Sequence, residues 1–180
     1  MHRLNQVMRW RFFHPSLAVK QNGNILHPKN MPTIRVQMAD FNIADELAVM
    51  RQNPAIGAIA SFIGLVRDIN DGLGVSTLTL EHYPAMTEKA LAGIVAQAEA
   101  RWLIINCTVI HRVGELQPCD QVVLVVVASA HRADAFEACQ FIMDYLKTQA
   151  PFWKKEQTQQ GQRWVEARES DDVASLRWHT

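Results

Sequence analysis

The order of apolar and polar positions predicts strands at 33–37, 57–66, 76–83, 107–110, 121–128 and 163–168. In 33–37 and 76–83 the two kinds of side chain alternate, which is the period of a strand with one buried face. The segment 121–128 is apolar throughout, which favours an inner strand covered on both faces. The last segment, 163–168, is predicted to be an edge strand, because it precedes a polar and charged tail.

Apolar residues at spacings of three and four predict helices at 42–51, 84–102 and 132–148. The third helix has Asp134 in its first turn and Lys147 in its last, and both charges match the helix dipole. It ends at Ala150-Pro151, because a residue before proline disfavours the α region. Together the elements predict an α+β fold, with a mostly antiparallel sheet and helices packed on one side of it.

The charge distribution divides the chain near residue 30. Residues 1–30 contain five Lys and Arg and no acid, whereas residues 31–180 contain thirteen basic and eighteen acidic residues, a net charge of −5. Because 1–30 has no apolar periodicity and no signal-peptide core, we expect an unstructured or non-native extension there. Residues 31–180 are predicted to form a single catalytic domain, long enough for a substantial core.

The cysteines and histidines give no metal or cofactor motif. Cys107, Cys119 and Cys139 are odd in number and widely spaced, which fits neither a disulfide framework nor a metal site. A reducing, cytoplasmic location is therefore expected. No apolar run approaches the length of a membrane helix, so no membrane partner is predicted, and no cofactor or metal is assigned.

The candidate chemistry lies in cations at the ends of predicted elements. These are Arg67, His131, Arg132, Lys147, Lys154 and Arg168. For the helix ends the simpler explanation is solvated charge, but Lys147 lies beside the apolar face of its helix and Lys154 follows the apolar pair 152–153. A lysine next to carbon is suited to polarising or attacking a carbonyl, and arginines suit a phosphate or carboxylate.

Several motifs, in the same order and spacing, make the sequence resemble a known family. The motifs are EHYPAMTEKA (81–90), VIHRVGEL (109–116), SAHR (129–132), the helix 136–147, APFWK (150–154) and RWVEARES (163–170). They closely resemble the large, catalytic subunit of molybdopterin synthase over about residues 33–172. Residues 1–30 have no counterpart in this resemblance.

The resemblance implies an α/β-hammerhead fold and a homodimer. Two small ubiquitin-like sulfur-carrier subunits would flank the dimer and form a heterotetramer. The carrier's C-terminal Gly-Gly thiocarboxylate would enter a pocket of the large subunit. Two sulfur atoms would then pass in turn to cyclic pyranopterin monophosphate, which forms the dithiolene of molybdopterin.

The resemblance also implies roles for individual residues. Lys147 and Lys154 would be the catalytic lysines. The pterin phosphate or ring would be bound by Arg67, His131, Arg132 and Arg168. Lys155 and Glu156 would line the pocket, with Phe62 and Met143 as its apolar wall. The chain has Ile63-Gly64-Leu65 where the family usually has Thr-Gly-Lys, which removes one peripheral lysine.

Two alternative functions remain at this point. A non-enzymatic docking module for a ubiquitin-like tail would use Gly64, Phe152 and Trp153 equally well, but it would not need the two lysines. A small RNA- or nucleotide-binding domain is disfavoured by the net charge of −5 and by the lack of paired aromatics on a strand.

Overall fold

The computed structural model describes residues 19–21, 24–26, 30–165 and 169–179. Within these ranges the strands are β1 (Val19–Gln21), β2 (Asn24–Leu26), β3 (Thr33–Gln37), β4 (Ala58–Leu65), β5 (Ile69–Asn70), β6 (Leu73–His82), β7 (Ile104–Arg112), β8 (Gly114–Leu116), β9 (Gln121–Ser129), β10 (Phe152–Thr158) and β11 (Gly161–Val165). The helices are α1 (Ile43–Met50), α2 (Pro84–Arg101), α3 (Arg132–Gln149) and α4 (Glu169–Leu176).

The first large sheet has the strand order β3-β7-β9-β4. β3 runs parallel to β7, and the other two neighbouring pairs are antiparallel. β9 is an inner strand, and its residues 123–129 are all buried. The prediction of a central strand covered on both faces, made from its continuous apolar run, is therefore confirmed.

Helices cover both faces of this sheet, whereas the sequence predicted helices on one side. α2 and α3 pack with β7 and β9 in the largest core cluster. On the other face, Phe41 and Met50, which flank and end α1, pack against residues of β7 and β9. The layer that contains α1 follows from the composition of β9, because a strand with apolar side chains on both faces must be covered on both faces of the sheet. The α+β class is confirmed.

The second sheet contains β11-β10-β6-β5, with β8 also paired to β6. The sequence analysis noted only an apolar pair at 152–153 followed by Lys154 and predicted no strand there. The structure pairs β10 with β6, and Phe152 lies opposite His82 and Lys154 opposite Leu80. Backbone hydrogen bonds to a segment far away in the sequence make 152–158 a strand. Its mixed composition of aromatic and charged residues does not predict one.

Shorter elements also differ from the sequence prediction. β5, β8 and α4 were not predicted, and β1 and β2 form an antiparallel pair in the range where no regular element was expected. No helix in the described ranges is long and apolar enough to cross a membrane.

Candidate anion-binding site

The candidate site is an open cleft of about 510 Å³ between the two sheets. The end of β4 and the C-terminal half of α3 form one side, and β6 and β10 form the other. Its wall contains three cationic side chains, which are Arg67, Lys147 and Lys154. Phe62 and Met143 provide apolar surface beside them, as the resemblance implies.

β10 determines which of its charged residues reach the cleft. Successive side chains of a strand point to opposite faces, and Lys154 and Glu156 both line the cleft. Lys155 lies on the opposite face, with its Nζ 3.6 Å from Glu81 Oε1 and 5.3 Å from the ring centroid of Trp164. The geometry of this chain therefore does not bring Lys155 to the cleft, although the resemblance implies a pocket role for it.

Lys147 projects from the last turn of α3, where the helix ends before Pro151. Its Nζ lies 3.9 Å from Asp171 Oδ2 of α4, and 45% of its side chain is exposed. A pair of charges at this distance and exposure is weak, so the ammonium group stays available to an anionic ligand. Lys147 also borders a neighbouring cavity of about 410 Å³, which shares Phe62 and Met143 with the cleft.

Arg67 and Glu156 are joined through Asn70. Arg67 Nη2 donates to Asn70 Oδ1 at 3.0 Å, and Asn70 Nδ2 donates to Glu156 Oε1 at 2.8 Å. Glu156 Oε2 accepts from Nε and Nη2 of Arg163 at 3.1 and 2.9 Å. Sequence reasoning gave Asn70 and Arg163 no site role, although Arg163 opens the motif RWVEARES (163–170). The hydrogen bonds that reveal their role join residues 86 and 93 positions apart.

His111 of β7 is a further wall residue, to which the sequence analysis gave no site role. Its ring stacks on Phe152, with centroids 3.8 Å apart and planes 16° from parallel. Nδ1 lies 2.8 Å from the carbonyl oxygen of Arg112, which can only accept, so Nδ1 carries the proton. In the neutral ring Nε2 is then an acceptor.

Burial lowers the pKa of His111 from 6.5 to about 4, and the charges of Lys154 and His82 act in the same direction. The hydrogen bond to Arg112 opposes this shift only in part. The imidazole is therefore neutral at physiological pH. A neutral histidine adds no charge to a wall that already carries three cations.

We expect His111 to make the protein acid-sensitive. Its folded pKa is about 4 against 6.5 when unfolded, so the stability it contributes is complete above pH 6.5 and is lost as pH falls towards 4. The loss should reach roughly 3 kcal/mol in the free energy of unfolding. In His111→Asn, whose amide can still donate to the Arg112 carbonyl, this acid loss should disappear.

Urea unfolding at pH 7 and at pH 4.5 measures the effect. The difference between the two pH values should shrink in His111→Asn and stay unchanged in the control His179→Asn, which alters an exposed histidine. An unchanged acid loss in His111→Asn would contradict the assignment.

The cysteines offer no nucleophile in this region. Cys139 borders the neighbouring cavity, and burial raises the pKa of its thiol to about 11. Cys107 is also buried, Cys119 is exposed, and all three are free thiols. Because the thiolate is the reactive form, a buried thiol with a raised pKa is unreactive at neutral pH.

Two more of the predicted substrate-binding residues, His131 and Arg132, are not brought to the cleft in this chain. His131 and Arg132 are exposed at the start of α3, whereas Lys147 is at its end. Fifteen residues of helix separate Arg132 from Lys147, about 22 Å at 1.5 Å per residue. Arg168 lies outside the described residues.

The fold and the cleft define an α+β protein with a cationic, partly apolar site suited to a small anionic ligand. Comparison with known proteins identifies the family within this class. The model of the family described as MoaE protein matches residues 36–149, and the chain belongs to this family. The sequence resemblance is thereby confirmed.

Similar proteins agree with this assignment. The molybdopterin synthase catalytic subunit of Ralstonia nicotianae is 66% identical over 149 residues, which cover 82% of this chain and 85% of the relative. The solved structure of the molybdopterin biosynthesis MoaE protein from Burkholderia ambifaria has a TM-score of 0.72 at 54% identity, with 83% of this chain and 99% of that one covered. Molybdopterin synthase from Staphylococcus aureus has a TM-score of 0.68 at 32% identity, with 73% and 95% covered.

Proposed function

We propose that this chain is the catalytic subunit of a molybdopterin synthase. It transfers sulfur from the thiocarboxylated C terminus of a small ubiquitin-like carrier subunit to cyclic pyranopterin monophosphate, and the product is the dithiolene of molybdopterin. One observation supports this above all others: Lys147, Lys154 and Arg67, from three separate elements, meet on one open cleft.

The chemistry needs such a cleft. The thiocarboxylate sulfur forms a bond to a carbon of the pterin side chain, and an oxygen leaves that carbon as alkoxide or phosphate. Water then cleaves the resulting thioester, which leaves the sulfur on the pterin and frees the carrier as a carboxylate. The nucleophile, the leaving group and the tetrahedral intermediate of the cleavage are anionic, so preorganised cations stabilise each of them better than water does.

The two lysines suit different parts of this reaction. Lys147 stands at a helix end in the cleft wall, beside Phe62 and Met143. Lys154 lies deeper, on a strand and close enough to His111 for its charge to lower the imidazole pKa. We assign Lys147 to the acyl carbonyl and Lys154 to the carrier tail or the leaving oxygen.

The assembly and location follow from the same proposal. The chain acts as a homodimer flanked by two carriers, a heterotetramer, and the reaction takes place in the cytoplasm. A relative named a catalytic subunit supports a second kind of subunit. Three free cysteines fit a reducing compartment.

A reconstituted reaction tests the function. Purified protein, thiocarboxylated carrier and cyclic pyranopterin monophosphate are combined, and mass spectrometry follows the replacement of sulfur by oxygen at the carrier's C terminus. We expect two carriers to be consumed for each molybdopterin formed. Carrier binding without turnover would instead identify the non-enzymatic docking module.

A further inference from the structure

Glu156 is a buried carboxylate in a cleft wall that also carries Asp171 and three cations. Only 6% of the residue is exposed, and it lines the same cleft as Lys154. An ionised carboxylate without partners at this depth would be costly, and it would also repel a phosphate or thiocarboxylate. The surrounding residues must therefore offset its charge for the cleft to bind an anion.

Arg163 provides this offset from the neighbouring strand. Glu156 and Arg163 are cross-strand partners of β10 and β11, so their side chains share a face. Both Nε and Nη2 of Arg163 donate to Glu156 Oε2. Two charge-assisted hydrogen bonds to one oxygen are stronger than neutral ones and hold the guanidinium in place.

The same guanidinium also holds the turn between β5 and β6. Arg163 Nη2 donates to the backbone oxygen of Asn70 at 3.2 Å and to Asp71 Oδ2 at 3.3 Å. Asp71 has a φ of 52° and Gly72 a φ of 77°, so both residues of this tight turn are left-handed. Arg163 thus fixes the backbone from which the Asn70 side chain extends.

The Asn70 amide has only one orientation that satisfies both neighbours. Glu156 Oε1 can only accept, so it faces the amide nitrogen of Asn70, and the amide oxygen faces Arg67. Asn70 is itself 6% exposed, so water does not compete freely for these bonds. Donation therefore converges on Glu156 from both sides: Arg163 donates to it directly, and Arg67 donates to Asn70, which in turn donates to Glu156.

We propose that Asn70 and Arg163 are positioning residues of the anion site: Arg163 cancels the charge of Glu156, and Asn70 holds the Arg67 guanidinium in the cleft wall. Glu156 is then a support for Asn70 rather than a ligand of the substrate. This inference rests on the proposed function, in which Arg67 binds the anionic group of the pterin substrate.

Removing charges from the network one at a time and together gives the sharpest test. We expect Arg163→Gln to weaken binding of inorganic phosphate by roughly tenfold, because an unpaired carboxylate then faces the anion. KM for the pterin should rise by roughly the same factor, with a smaller change in kcat. The double variant Arg163→Gln with Glu156→Gln should recover most of this loss. Arg163→Lys keeps the charge but loses the fixed fork of donors, so its phosphate affinity should fall between those of wild type and Arg163→Gln.

Asn70→Leu separates the positioning of Arg67 from the cancellation of the Glu156 charge. It removes the contact to Arg67 but leaves Glu156 paired with Arg163, so phosphate binding should fall, and adding Glu156→Gln should not restore it. Glu156→Gln alone should not weaken phosphate binding. Weaker binding in Glu156→Gln alone would show that the carboxylate contacts the ligand directly and would overturn the proposal.

Isothermal titration with inorganic phosphate is measured beside urea unfolding for every variant. Arg35→Gln is the control, since it removes an exposed arginine–carboxylate pair, with Glu46, that does not line the cleft. Unchanged phosphate affinity in a folded Arg163→Gln protein, no recovery in the double variant, or no phosphate binding by the wild type would each overturn the inference. The titration measures phosphate binding and does not depend on sulfur transfer. It therefore tests the positioning roles even if the protein does not catalyse the proposed reaction.

Discussion

Alanine at Lys147 or at Lys154 is expected to reduce sulfur transfer by at least about a hundredfold, since each substitution removes a preorganised cation from the reacting groups. Both side chains lie in the cleft wall rather than in the core, with Lys147 45% exposed. The free energy of unfolding and the affinity for the carrier should therefore change little. Single-turnover assays with thiocarboxylated carrier measure the rate.

Lys89→Ala is the matched control, because Lys89 is an exposed helical lysine on α2 that does not line the cleft. It should keep the wild-type rate. Near-normal turnover in Lys147→Ala or Lys154→Ala would show that the lysine in question is only a solvated side chain. Lys155→Ala tests whether Lys155 has the pocket role that the resemblance implies. Because its side chain faces away from the cleft, we expect a rate close to wild type. A large loss of rate would place Lys155 in the site.

Mixing two inactive variants is expected to restore activity if the site is shared between subunits. His131 and Arg132 start α3 and Lys147 ends it, so one small substrate does not span both ends within one chain. An isologous dimer can bring the start of one α3 to the cleft of its partner and build two equivalent sites. Each site would then combine Lys147, Lys154 and Arg67 of one subunit with residues 131–132 of the other.

In a mixture of Arg132→Ala and Lys147→Ala, each mixed dimer would hold one intact site. With equal amounts and free exchange, half of the dimers are mixed, so activity should recover to about a quarter of wild type. A mixture of Lys147→Ala and Lys154→Ala is the control, because both lysines line the cleft of the same chain and no intact site can form. No recovery in the first mixture, despite demonstrated exchange, would place the whole site within a single chain.

The positions of the main elements could be predicted from sequence because they depend on local patterns. The apolar run of β9 predicts an inner strand, and the structure places it there. The boundaries of α3 follow from apolar spacing and from Pro151, and α1 begins after Asn42, whose side chain accepts from the Ala44 amide. Several motifs that occur in the family's order and spacing predict the family, because a functional site needs particular residues at fixed spacing.

β10 shows what the sequence could not predict. Its residues alternate between the two faces of the sheet only because it pairs with β6, a segment about seventy residues earlier. That register points Lys154 into the cleft and Lys155 away from it, although the two residues are adjacent. A local pattern contains no information about register with a distant strand.

The network of Arg67, Asn70, Glu156 and Arg163 depends on tertiary structure in the same way. Its members come from the loop after β4, from β5, and from β10 and β11. The sequence by itself determined that the chain carries lysines and arginines at the ends of buried elements, and it determined the family they belong to. Only the packing of two sheets decided which of these charges meet and which are cancelled, because hydrogen bonds between distant residues form when folding brings their atoms within about 3 Å of each other.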